Sequence, residues 1–160
     1  MSFFTKEFVI QQQIHPYACI AAAACSLIDA IGAHAPTQHV LDPLVASGMA
    51  SGNSGFDSLA TAIANFNISI SVTRFTPAPN ELVPWFQHQS TNHQGFLISH
   101  HVQINGIAVA HITVILHDRQ GLWFQADPGS ALTCSIQLPQ LVAYYAGDVA
   151  IVSGLRRDQA

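Results

Sequence analysis

Charge is what this 160-residue chain has least of. Asp, Glu, Lys and Arg together make up 9% of it, against roughly 25% in an ordinary soluble protein. Only five residues are Lys or Arg, and the formal net charge is −4. No basic stripe can therefore track a phosphate backbone, and nucleic acid is not an expected partner. Long apolar runs are missing as well. The longest, Ala18–Cys25, falls far short of the roughly 20 residues that a membrane-spanning helix needs. The first residues set Glu7 beside the only lysine, Lys6, and contain no hydrophobic stretch of the length a secretory signal has. A cytoplasmic protein as made is the expectation, with delivery to another cell or compartment left open. Cysteine is scarce too. Three is an odd number, too few for a disulfide scaffold, and leaves at least one free thiol.

What the chain has in quantity is apolar residues, 49% of it. At this length that suffices for one buried core, so a single domain spanning residues 1–160 is expected. Its first half reads as helical. Pro16-Tyr17-Ala18 leads into a helix over Cys19–Ile31, ended by Gly32. Asp42-Pro43 reads as an N-cap with proline in the first turn of a short helix that stops at Gly48. Asp57 reads as the cap of another, with Leu59, Ile63 and Phe66 on one face. Between these two, Ser47–Gly55 is expected to be a surface loop.

The second half reads as strands. Ile68, Ile70 and Val72 alternate with polar residues. After a short helix over Asn80–Gln89 comes a hairpin, Phe96–Ile104 and Ile107–His117 joined by Asn105-Gly106, the preferred type I′ turn. A second turn, Asp118–Gly121, leads into Leu122–Asp127. A helix over Leu138–Ala146, with Gly147 beyond its end, and a last strand over Val149–Leu155 complete an α+β pattern.

Four residues on this scaffold carry a chemistry. Cys19 stands at a helix start, where unpaired N–H groups and the dipole favour a thiolate. Cys25, in mid-helix, and Cys134, after a turn, lack that setting and read as structural. His111 opens a strand and Asp127 ends the next. A three-residue loop, with Gly121 opposite His117, would bring Asp127 directly across from His111; a four-residue loop shifts the pairing by one. An imidazole held by a carboxylate is the oriented base of a nucleophilic triad. Gln13, six residues before Cys19, is placed to donate its side-chain amide to an oxyanion, alongside the Cys19 backbone N–H. Gln11 and Gln12 are alternatives for that role, and His100, opposite His111 in a two-residue hairpin, is the alternative base.

Gln13-x5-Cys19 with Cys19-Ile-Ala-Ala-Ala-Ala, His111-Ile-Thr-Val and Asp127-Pro128-Gly129 resemble the papain-like superfamily of thiol hydrolases. Within it they are most similar to the bacteriocin-processing peptidases that trim double-glycine leaders, and to their stand-alone relatives. The resemblance covers about residues 10–155. It implies a papain-like α+β fold with the nucleophile on a buried helix and the His and Asp on an antiparallel sheet. It also implies a cysteine hydrolase acting on a peptide or protein through a Cys19-His111-Asp127 triad, without a cofactor. Glutamine deamidases and amidases of the same fold, often bacterial effectors with a protein target, are the second implied activity, and an inactive peptide-binding module the third. The chain departs from the leader peptidases beside the nucleophile. An acidic residue and a glycine are usual there, whereas this chain has Ala18 and Ile20, and Ile20 is expected to narrow the mouth of the site.

The remaining histidines suggest zinc only at first sight. His88, His93, His100 and His101 match no ligand spacing, no cysteine is near, and no carboxylate lies between Glu81 and Asp118. No metal site is expected. Trp85, Phe86, Trp123 and Phe124 read as core or pocket wall.

Overall fold

The computed structural model describes residues 2–154. The alanine-rich run forms helix α1, Cys19–Ile31, with the bounds its sequence predicts. Gly32 ends it in the left-handed conformation (φ +101°), its N–H donating to the carbonyls of Ile28 and Asp29. Eleven of the 13 residues are buried, so α1 is a central helix, and its short alanine side chains let neighbouring elements approach closely. Its buried polar exception, Ser26, donates to the Ala22 carbonyl at 2.7 Å and accepts the Gln11 N–H at 2.8 Å.

The next helix differs from its sequence reading. α2 spans Gln38–Ala50, so Asp42 is not its cap and Pro43 lies inside it, at the sixth position. Gly48 does not stop it either. A Cβ there would lie 2.7 Å from Ser58 Oγ and 2.8 Å from Ser58 Cβ, so this glycine lets α2 pack against α3, Gly55–Ile63. The connection between them is therefore only Ser51–Ser54. The cap of α3 is Ser54, whose side chain accepts the Asp57 N–H at 3.2 Å; Asp57 itself sits in the first turn, where its charge suits the helix dipole.

The strands are β1 (Ile70–Phe75), β2 (Gly95–Ile104), β3 (Ile107–His117), β4 (Trp123–Asp127), β5 (Leu132–Ile136) and β6 (Tyr145–Gly154). They form one antiparallel sheet in the order β1-β6-β2-β3-β4-β5. A 3₁₀ turn, Pro79–Glu81, runs into α4, Leu82–Gln89, before β2. The β2–β3 turn is type I′, with Asn105 at φ +52° and Gly106 at φ +78°. Leu138–Tyr144 is a 3₁₀ segment rather than an α-helix, and Tyr145 and Ala146, expected to end a helix, begin β6. Gly147, expected beyond a helix end, lies within β6 at φ +107°, where the β2–β6 register shifts. Leu155, the expected end of this strand, is outside the described residues.

Helices α1, α2 and α3 cover one face of the sheet around Leu27, Leu41, Phe56 and Val114. On the other face Leu82, Phe86, Phe96, Ile115 and Leu138 pack together, with Phe86 and Phe96 edge to face at 5.2 Å. Trp85 and Trp123 pack against this second cluster and Phe124 against the first. β6 pairs with β2 only as far as His100, and β4 with β3 only from Val114. Residues 101–110 thus continue beyond their neighbours as a two-stranded ribbon.

Candidate active site

Cys19 is the first residue of α1, 8% exposed. No side chain caps this helix, so the backbone N–H groups of its first turn keep no intrahelical partner. The Cys19 thiol faces the His111 ring closely enough to be the largest influence on its pKa. On its other side His111 Nε2 meets Asp127 Oδ1 at 2.7 Å, which leaves Nδ1 for the sulfur. The register differs from the expected one. His117 pairs with Trp123 and Val114 with Ala126 across a five-residue connection, so one step on Asp127 stands level with Thr113. The His111–Asp127 bond therefore crosses the ladder diagonally, a distance that long side chains bridge.

Gly129 closes this corner. Its N–H donates to Asp127 Oδ1 at 2.8 Å. A Cβ at this position would lie 3.1 Å from Asp127 Oδ1, 3.6 Å from His111 Cε1 and 3.7 Å from Gln13 Oε1. Pro128 ties in the segment before Cys19 by accepting the Gln13 N–H at 2.9 Å. Gln13 thus borders the same corner. Its Nε2 donates to the carbonyls of His15 and Pro16 at 3.1 and 3.0 Å, while its Oε1 is buried without a partner. To donate to an oxyanion, the Gln13 amide must exchange one of these carbonyl bonds. Gln38 ties down the same segment: its Nε2 donates to Gln11 Oε1 at 3.0 Å and to the Gln12 backbone carbonyl at 2.9 Å, and its Oε1 accepts the Ile14 N–H at 3.1 Å.

Gln38 is the residue that sequence reasoning missed. It is 6% exposed, and from the first turn of α2 it holds residues 11–14 in place. No local pattern marks it, because its value lies entirely in contacts 24 to 27 residues away.

The two facing histidines differ sharply. The Cys19 thiol is the largest influence on His111, and with the Asp127 bond it outweighs burial and raises the pKa to about 9. His111 is therefore an imidazolium at neutral pH. Burial, and then the charge of His111, lower His100 to about 4, and its buried Nε2 has no partner. His100 stays neutral. Of the other thiols, Cys25 donates to the Pro36 carbonyl at 3.0 Å and is pushed by burial up to about 12. Cys134 lies exposed on the outermost strand, β5.

Cys19 and His111 open into a cleft of about 940 Å³ between the sheet and the start of the helical layer. Ile20 lines it, but its side chain is seated against α3: a Cβ on Gly55 would lie 2.6 Å from Ile20 Cδ1. The histidines that suggested zinc disperse. His93 bonds Ser2, His101 lines the cleft, and His100 faces His111. Among the described residues no group of three or more His, Cys, Asp or Glu is arranged to hold a metal ion, and no helix is long and apolar enough to cross a membrane.

Neither a family model nor a curated protein matches this chain by sequence. Solved structures do match it. The peptidase domain of Streptococcus ComA, a bifunctional ABC transporter of a quorum-sensing pathway, superposes with a TM-score of 0.65 at 12% identity, over 93% of this chain and all of that domain. The Salmonella effector SpvD, as its G161 variant, matches with a TM-score of 0.46 at 13% identity, over 92% of this chain and 74% of that one. The α+β fold is thus the one seen in the ComA peptidase domain.

Proposed function

We propose that this chain is a cysteine hydrolase that cleaves an amide bond of a peptide or protein, with Cys19 as nucleophile, His111 as acid and base, Asp127 as the group that orients His111, and Gln13 as oxyanion donor. The observation that carries the reading is His111, held by the Asp127 carboxylate at 2.7 Å and lining one open cleft with Cys19, the largest influence on its pKa. A thiolate paired with an imidazolium is a nucleophile and an acid already in place. Sulfur attacks the carbonyl carbon and the carbonyl electrons move onto oxygen, where the Cys19 N–H and Gln13 receive them. His111 then gives its proton to the leaving nitrogen, the C–N bond breaks, and a thioester remains. Neutral His111 next takes a proton from water as that water attacks the thioester; the acid leaves and the thiolate–imidazolium pair is restored.

The test is alkylation followed by turnover. At pH 6 iodoacetamide should label Cys19 ahead of Cys134, and Cys25 only after unfolding, read by peptide mass mapping. The labelled protein should lose all cleavage of a mixed peptide library. Unselective labelling, or cleavage that survives it, removes the reading. Release of ammonia without a new α-amine would reassign the chemistry from proteolysis to glutamine deamidation.

A further inference from the structure

The cleft beside Cys19 is lined by a carboxylate that no lysine or arginine pairs among the described residues. Two aspartates line it, Asp42 and Asp148, and among the described residues no lysine or arginine does. Asp148 is matched: Arg74 Nε donates to its Oδ2 at 2.8 Å and the Ser99 hydroxyl donates to its Oδ1. His111 is likewise matched by Asp127, whose Oδ1 meets its Nε2 at 2.7 Å. Asp42 differs. Its Oδ2 meets His15 Nε2 at 2.6 Å, while His15 Nδ1 accepts the Tyr17 N–H at 3.1 Å, and among the described residues no lysine or arginine reaches it. The carboxylate is thus paired with an imidazole alone and not with a permanent cation.

The surroundings of Asp42 suit a long cationic side chain. The Asp42 side chain is only 14% exposed, so a cation brought to it meets a weaker solvent screen than at an open surface. Tyr17, 81% exposed, has its ring centroid 6.4 Å from that of His15 and offers an aromatic face to a cation. Val45, Ala46 and Met49 continue the lining along α2, an apolar track for an alkyl stem. We infer that the cleft selects a lysine or arginine side chain of the substrate and that Asp42 is the residue that reads it. This rests on the cleft being the substrate cleft of the proposed hydrolase.

The test is equilibrium binding to the Cys19→Ala protein, which needs no turnover. The probes are fluorescein-labelled hexapeptides that carry Lys, norleucine or Glu at one position at a time, read by fluorescence anisotropy. At one position Lys should bind roughly tenfold tighter than Glu, with norleucine between. The ratio should contract as salt rises from about 20 mM to about 500 mM. Asp42→Asn, which keeps an acceptor for His15, should reduce the ratio to roughly twofold. Equal binding of the three series, a ratio indifferent to both salt and Asp42→Asn, or no binding of any peptide would overturn the inference. If Asp42→Asn does not fold, the salt dependence decides alone. Turnover by the wild-type protein separates the two readings. A Lys preference in binding with no cleavage removes the hydrolase and leaves the cation subsite; cleavage indifferent to charge removes the subsite and leaves the hydrolase.

Discussion

His100 and His111 stand opposite each other in the β2–β3 ladder, ring centroids 5.4 Å apart at 84°. Their pKa values lie at about 4 and about 9. Burial acts on both in the same direction, so burial does not separate them. Partners do. His111 has a carboxylate on Nε2 and the Cys19 thiol beside it, whereas His100 Nε2 is buried with no partner and faces the charge of its neighbour. A side chain's place in a sheet decides how much water it loses; what meets its polar atoms decides which charge it holds.

The largest expected effect breaks the pair apart. His111→Ala should lower kcat/KM by roughly 10³-fold, within the range general acid–base groups contribute, and should slow Cys19 alkylation at pH 6. His100→Ala should stay within a few-fold of wild type. The reverse outcome would move the base to His100. Next comes Gln13→Ala, expected to cut kcat by roughly 10²-fold with KM little changed. Cys19 alkylation, which forms no oxyanion, should stay near the wild-type rate; if it falls in step, Gln13 acts by holding the His15 and Pro16 carbonyls instead.

Asp127→Asn is the milder test, with a loss of roughly tenfold, because a preformed ion pair depends less on the carboxylate than a serine triad does. It should also move the alkaline limb of the pH–rate profile down from about 9. The limb should remain above the ordinary histidine range, since the Cys19 thiol is the larger influence. The smallest effect is on stability. The raised pKa of His111 gives a contribution that is complete below about 6.5 and is lost as pH rises through about 9. The depressed pKa of His100 gives one that is present above about 6.5 and is lost as pH falls through about 4. In His100→Phe the acid limb of a urea-midpoint profile should flatten while the alkaline limb stays; an unchanged acid limb would show that His100 is not responsible for it.

Local chemistry made some of this legible in the sequence, and tertiary contacts hid the rest. α1 was readable to the residue because Pro16 and Gly32 bracket an apolar run. The β2–β3 hairpin was readable because Asn105-Gly106 fixes its turn. α2 misled because Asp-Pro is a strong local start signal, whereas buried Gln38, Leu41 and Val45 on both sides of Pro43 hold one continuous helix. Tyr145 and Ala146 joined β6 because their pairing runs to His100, 45 residues away. The expected loop before β4 was too short, yet Asp127 still meets His111: the error of two residues keeps the alternation of the strand, and the side chain covers the diagonal. Gln38 was illegible for the opposite reason, since nothing near it in sequence depends on it.

The ribbon formed by residues 101–110 has a mechanical consequence. It is a cantilever, clamped at its root where His100 pairs with β6 and His111 bonds Asp127, and free of strand neighbours along its length. A load at the tip, such as a bound chain pressing on Ile107 or Asn105 in the cleft wall, bends the beam about that root. Deflection therefore grows toward the turn and vanishes at the histidines. The cleft wall is thus expected to move more at the turn than at the His100–His111 rung. Amide exchange should record the gradient, fastest at the turn and slowing in both strands as they approach the clamp.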